Sequence, residues 1–244
     1  MPSDGSVKMR YKHTVHTMRS PFLILITVLF ATLAPALPAQ TEALNLEFSA
    51  ISFDSMPQEL WYESEGKLME LQAGGSVRGP LLRYSGENPV NFFRLVPDGQ
   101  GGKKRVMQAS ATIPQGVSQA LLCFLPNTSP NAALPWKIFV MDDSSQSFAP
   151  GDIRFINFAG KAVAGVLGEE KIRLLPNTER TITPDLSDTE GFGIKLAAYL
   201  DEQWEPFFSA RWPHRKNVRL MILFLPDTKS GKVKMRAVPQ NWTR

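Results

Sequence analysis

Ala120-Leu121-Leu122-Cys123-Phe124-Leu125-Pro126-Asn127-Thr128 returns one hundred residues later as Leu220-Met221-Ile222-Leu223-Phe224-Leu225-Pro226-Asp227-Thr228. Each copy is a short, nearly continuous apolar run ended by a proline turn. That is the pattern of a central strand covered on both faces, and its length suits a strand better than a helix. Each copy is followed by a loop and another strand candidate, WKIFVMDD at 136–143 and KVKMRAVP at 232–239. In the latter, Lys232, Lys234 and Arg236 share one face while Val233, Met235 and Ala237 share the other, the period-two signature of a half-buried strand. Upstream, Phe93-Arg94-Leu95 aligns with Ile194-Lys195-Leu196 at nearly the same spacing. The recurrence predicts two tandem units of about 100 residues; the alternative is two central strands that share an apolar pattern.

Working outward, strands are expected at 44–53, 59–64, 68–72, 81–84, 90–96, 105–113, 120–125 and 136–141. The second half adds 153–158, 162–167, 171–175, 180–183, 192–199, 205–211, 218–225 and 232–238. Turn formers such as Asp98-Gly99-Gln100-Gly101-Gly102, Ala159-Gly160 and Pro176-Asn177 separate them. Short strands at this spacing predict an all-β chain of two tandem Ig-like β-sandwich units. The first covers 40–143 and the second 152–244, joined by the polar linker SSQSFAPG at 144–151.

Ahead of them, residues 1–39 read as a leader and signal peptide. The uncharged run 22–33 (FLILITVLFATL) follows Lys8, Arg10, Lys12 and Arg19 and precedes small residues, the order of an export signal. Cleavage fits after Ala39 or after Ala36, and Met18 is a candidate true start, since MRS then abuts the apolar core directly. The run is shorter than the roughly 20 residues of a spanning helix, so no transmembrane span is expected after cleavage; an uncleaved anchor is the alternative. A periplasmic or extracellular location follows.

Cleavage changes the charge argument. The whole chain carries 27 Lys and Arg against 23 Asp and Glu; loss of 1–39 removes four cations and one acid, leaving 23 against 22. A nearly neutral chain gives no reason to expect nucleic-acid binding. The charge is uneven, however. Residues 211–244 hold nine Lys and Arg against Asp227 alone, a segment able to meet an anionic surface or, as ordinary solvated strand faces, simply to be balanced by acidic neighbours. Cys123, the sole cysteine, lies inside an apolar run and reads as a core thiol, so stability has to come from packing without a disulfide.

Catalytic and cofactor patterns are not met. Past the leader His214 is the only histidine, in the turn-like WPHRK, and it reads as an exposed loop residue; no GxSxG sequence supplies a nucleophile elbow. One histidine and one cysteine cannot satisfy zinc spacing, Asp142, Asp143 and Asp152 lack EF-hand spacing, and the Gly99–Lys104 segment fails the phosphate-loop pattern at Pro97 and Lys104. No cofactor is expected. Glu63, Glu65, Asp201, Glu202 and Glu205 could supply a glycosidase pair, as any chain this rich in acids could. Trp61, Tyr62, Trp204 and Trp212 are the candidate ligand contacts, because an aromatic face stacks on a sugar ring; core filling is the alternative role for such bulk.

The stretch Phe148-Ala149-Pro150-Gly151-Asp152-Ile153-Arg154-Phe155-Ile156-Asn157-Phe158, with 162–168 and Leu174-Leu175-Pro176-Asn177, resembles uncharacterised exported bacterial all-β proteins. In these a Gly-Asp-x-Arg-Phe-x-Asn strand precedes a short hairpin. The resemblance implies bacterial export and carries over no functional residue. The expectation is a non-enzymatic secreted or envelope protein acting through contacts with an envelope protein; a carbohydrate-binding module meeting a polysaccharide is the alternative, and a glycoside-active enzyme the third reading.

Overall fold

The computed structural model describes residues 43–53, 59–71, 74–75, 77–185, 191–227 and 229–241. The leader expected at 1–39, with its start at Met18, lies outside them. The first half contains β1 (Leu44–Ser52), β2 (Trp61–Ser64), β3 (Lys67–Glu70), β4 (Gly74–Gly75), β5 (Leu82–Gly86), β6 (Val90–Pro97), β7 (Lys103–Ala111), β8 (Gln119–Pro126) and β9 (Trp136–Asp142). The second half contains β10 (Ile153–Asn157), β11 (Val163–Leu167), β12 (Glu170–Leu174), β13 (Glu179–Ile182), β14 (Gly191–Leu200), β15 (Gln203–Pro213), β16 (Val218–Pro226) and β17 (Val233–Asn241). The described residues are all-β, and every expected strand overlaps an observed one; β4 is the addition.

The strands form four sheets arranged as two sandwiches. In the first unit β5 and β8 flank β1, β9 closes the far side of β8, β4 adds to the end of β1, and the second sheet runs β3-β2-β6-β7. In the second unit the sheets run β13-β10-β16-β17 and β12-β11-β14-β15, the same order. The pairing sense matches too: β1 with β8 and β10 with β16 are parallel, and the flanking pairs are antiparallel. Register extends the match to single residues. Phe48 stands opposite Ala120 as Ile153 stands opposite Leu220, and each unit carries a β-bulge at one place, between Phe92 and Phe93 and between Leu196 and Ala197. The two segments quoted at the outset therefore occupy the same site in two similar units. The bulges also correct the upstream alignment. Phe92 matches Leu196, and the apparent pairing of Phe93 with Ile194 breaks that frame by three residues.

Burial explains why β8 from Ala120 and β16 from Leu220 onward are apolar. Ala120, Leu122 and Phe124 face β2, β6 and β7 in the first core, while Leu121 and Cys123 point the other way. Ile222 and Phe224 likewise fill the second core, while Met221, Leu223 and Leu225 point away from it. The outward sets meet each other, joined by Ile51, Met141, Ile156 and Phe158, in a third apolar core between the two inner sheets. Four β layers thus stack in sequence, and the inner two are buried on both faces. Cys123 is fully buried there, which raises its thiol pKa through desolvation and makes it an inert packing residue. One difference between the units is local. Tyr62 fills the first core, whereas its register counterpart Gly165 leaves room for Leu196, whose Cδ2 lies 2.6 Å from where a Cβ would stand.

Candidate functional site

A second difference opens a groove. In the first unit β7 packs against β9 and shuts the sandwich edge, while β15 and β17 make no contact of that extent among the described residues. Register places Ala237, opposite Ile222, where the first unit has Val140 opposite Leu122. Val140 packs on the first core; Ala237 is exposed and too short to do so. The result is an open apolar cleft of about 430 Å³ whose walls include Ile153, Phe192, Trp212, Leu220, Ala237 and Pro239. That volume is within the range of small-ligand pockets.

His214 lines the cleft. Contrary to the exposed loop residue expected from WPHRK, it is only 5% exposed, because the loop after β15 folds back onto the segment before β10. Its Nε2 donates to the Gly151 carbonyl oxygen at 3.1 Å, and its Nδ1 is enclosed with no hydrogen-bond partner. Gly151 has φ of +90°, a conformation that suits glycine, and its N–H donates to Val218 O. Arg215 lines the cleft beside His214 and is exposed.

A polar seam crosses one edge of the central core. Phe148, from the expected linker, is 3% exposed and lies between two guanidinium groups, with Arg154 Cζ 4.5 Å and Arg219 Cζ 4.9 Å from its ring centroid. Both arginines are fully buried. Arg154 donates to Asp142 O, Ser147 O and Thr181 Oγ1, so it pins the linker to β10 and β13. Arg219 donates to Asp143 O, Phe148 O and Gln240 Oε1, and its charge lies 3.5 Å from the Asp143 carboxylate. Burial lowers its pKa from the usual arginine value, and Asp143 opposes that shift. Asp143, itself buried, also pairs with Arg78, which bonds Ser49 and Gln240. With these partners the seam is a lock between the units.

The four aromatic candidates are not brought together. Trp61 is half-buried on β2 opposite Phe93, and Tyr62 is 1% exposed inside the first core. Trp212 stands in the groove wall, edge-on to Phe208 at 5.5 Å. Trp204 lies at the other end of β15, 41% exposed, beside Tyr199 at 5.3 Å and under the Arg173 guanidinium at 5.8 Å. The acids are also scattered: Glu63 pairs with Arg105 at 2.6 Å in the first unit, while Asp201 and Glu202 form the exposed turn between β14 and β15. Asp152 accepts from Ala149 N and Thr183 Oγ1. Within the basic segment, Arg219 is withdrawn into the seam, Arg215 lines the groove, and Arg211 and Lys216 are exposed. Sequence reasoning missed the groove. Its signal, alanine at 237 against valine at 140, becomes visible only in register. No family model matches the chain, and no curated protein was found to be similar to it.

Proposed function

We propose that the chain is an exported, non-enzymatic binding protein of two Ig-like sandwich units, in which the second unit makes the functional contact and the first is its closed, structural counterpart. The observation that carries this reading is the groove. Two similar units share strand order, pairing and bulges, yet one edge is shut by Val140 and the other is left open by Ala237. An unfilled cleft walled mainly by apolar side chains is a binding feature. Nile red, a neutral apolar dye, is expected to bind the purified protein with saturable fluorescence enhancement, and Ala237→Trp, which fills the cleft from an exposed position, is expected to abolish most of it. Enhancement unchanged in A237W would remove the groove from consideration.

A second reading, carbohydrate contact, is favoured by one observation: the exposed Trp204–Tyr199 pair on the outer sheet of the second unit, an aromatic face beside polar groups. Polysaccharide binding that disappears in Trp204→Ala but survives in A237W would move the contact there; flat responses across polysaccharides would eliminate it.

A further inference from the structure

The following rests on the groove being the contact site. We propose that its ligand is an amphipathic carboxylate, an apolar chain or ring lying in the cleft with its carboxyl group at the His214–Arg215 end.

The walls argue for the apolar part. Ile153, Phe192, Trp212, Leu220 and Pro239 offer dispersion contact, and besides His214 and Arg215 the polar side chains along them are the Trp212 indole and the Asn241 amide, so the body of the ligand is mainly hydrocarbon-like. The strands that flank the cleft argue against a peptide added as a further strand. Pro213 ends β15 and Pro239 lies near the end of β17, and each removes a backbone N–H from an edge at the cleft. Side-chain contact is what remains.

The groove end argues for the carboxyl. His214 Nε2 is committed as a donor to Gly151 O, which leaves Nδ1 as an enclosed nitrogen without a partner on a residue that lines the cleft. An enclosed polar atom left unpaired costs stability; this one is shut off from solvent, so a ligand that displaces the atoms covering it and pairs it recovers that cost. A carboxyl group fits either state of the ring, donating its O–H to a bare nitrogen or accepting from a protonated one. Arg215 then supplies the charge. It lines the same cleft and is exposed, and no Asp or Glu is among the described residues that line it. A neutral amphiphile of the same length meets the walls equally well but gains nothing from this cationic end.

Displacement of bound Nile red from the full chain tests the assignment, with dodecanoate and dodecanol as competitors below their aggregation limits. Dodecanoate is expected to displace the dye at about tenfold lower concentration than dodecanol, a ratio equal to roughly 1.4 kcal/mol. Arg215→Gln, at an exposed position, is expected to shrink that ratio to about threefold or less while leaving dodecanol unchanged. Equal displacement by the two competitors, or a ratio unaltered in R215Q, overturns the carboxylate assignment and leaves the groove reading in place. Failure of Nile red to bind at all overturns the groove reading itself, and this inference with it.

Discussion

Asp143→Ala is expected to destabilise the protein by about 3–5 kcal/mol, read as a lowered midpoint in urea unfolding followed by tryptophan fluorescence. The size follows from what the substitution leaves behind. Asp143 is the carboxylate on which Arg78 and Arg219 converge, and its side chain and that of Arg219 are 2% and 1% exposed. Removing it takes from two cations the carboxylate they share, one of them fully buried, and the desolvation penalty of a buried charge exceeds the modest net worth of an exposed pair. Arg78→Met in the same background should recover part of the loss, because it deletes one of the two cations that converge on Asp143. A loss below about 1 kcal/mol in D143A would show that Asp143 does not hold the seam together.

Phe148→Ala is expected to cost about 3–5 kcal/mol as well, for a different reason. Its ring is buried and carries a guanidinium on each side, so truncation both opens a cavity and removes two desolvated cation–π contacts worth about 0.5–2 kcal/mol each. Phe148→Leu separates the terms: it keeps most of the volume, so its cost should be nearer the cation–π part alone. The double variant with D143A should fall well short of the sum of the singles, because both act on Arg219. Additivity within about 0.5 kcal/mol would mean that the ring and the carboxylate act independently.

Much of the architecture was readable because two-sided burial leaves a plain mark. A strand with both faces covered has to be apolar at every position, and 120–125 and 220–225 are. What covers the second face was not readable. Leu121, Cys123, Met221 and Leu223 say that something apolar lies opposite them, and only the topology identifies it as the other unit. Arg219 was the visible anomaly, a charge at the head of the run VRLMILFL, yet its partners come from residues 71–76 positions earlier and 21 later. Phe148 was hidden by its neighbours, since a polar stretch with proline and glycine reads as a linker whatever one aromatic within it does. His214 was misjudged on the same ground: WPHRK has the composition of a loop, and it is a loop, but one bonded back onto Gly151. The groove was the least legible feature. It depends on a side chain that is smaller than its counterpart in another unit, and the counterpart can be named only after the register of two hairpins is known.

The core between the inner sheets sets the order in which this chain can become safe. As the polypeptide is made from its N-terminus, Ile51, Leu121, Cys123 and Met141 are complete well before Ile156, Met221, Leu223 and Leu225 exist to cover them. The first sandwich can close its own edge, yet it presents a sticky broad face until the last hundred residues arrive. Either half cut out singly would leave its side of this core uncovered. Only the pair covers what each half alone leaves bare.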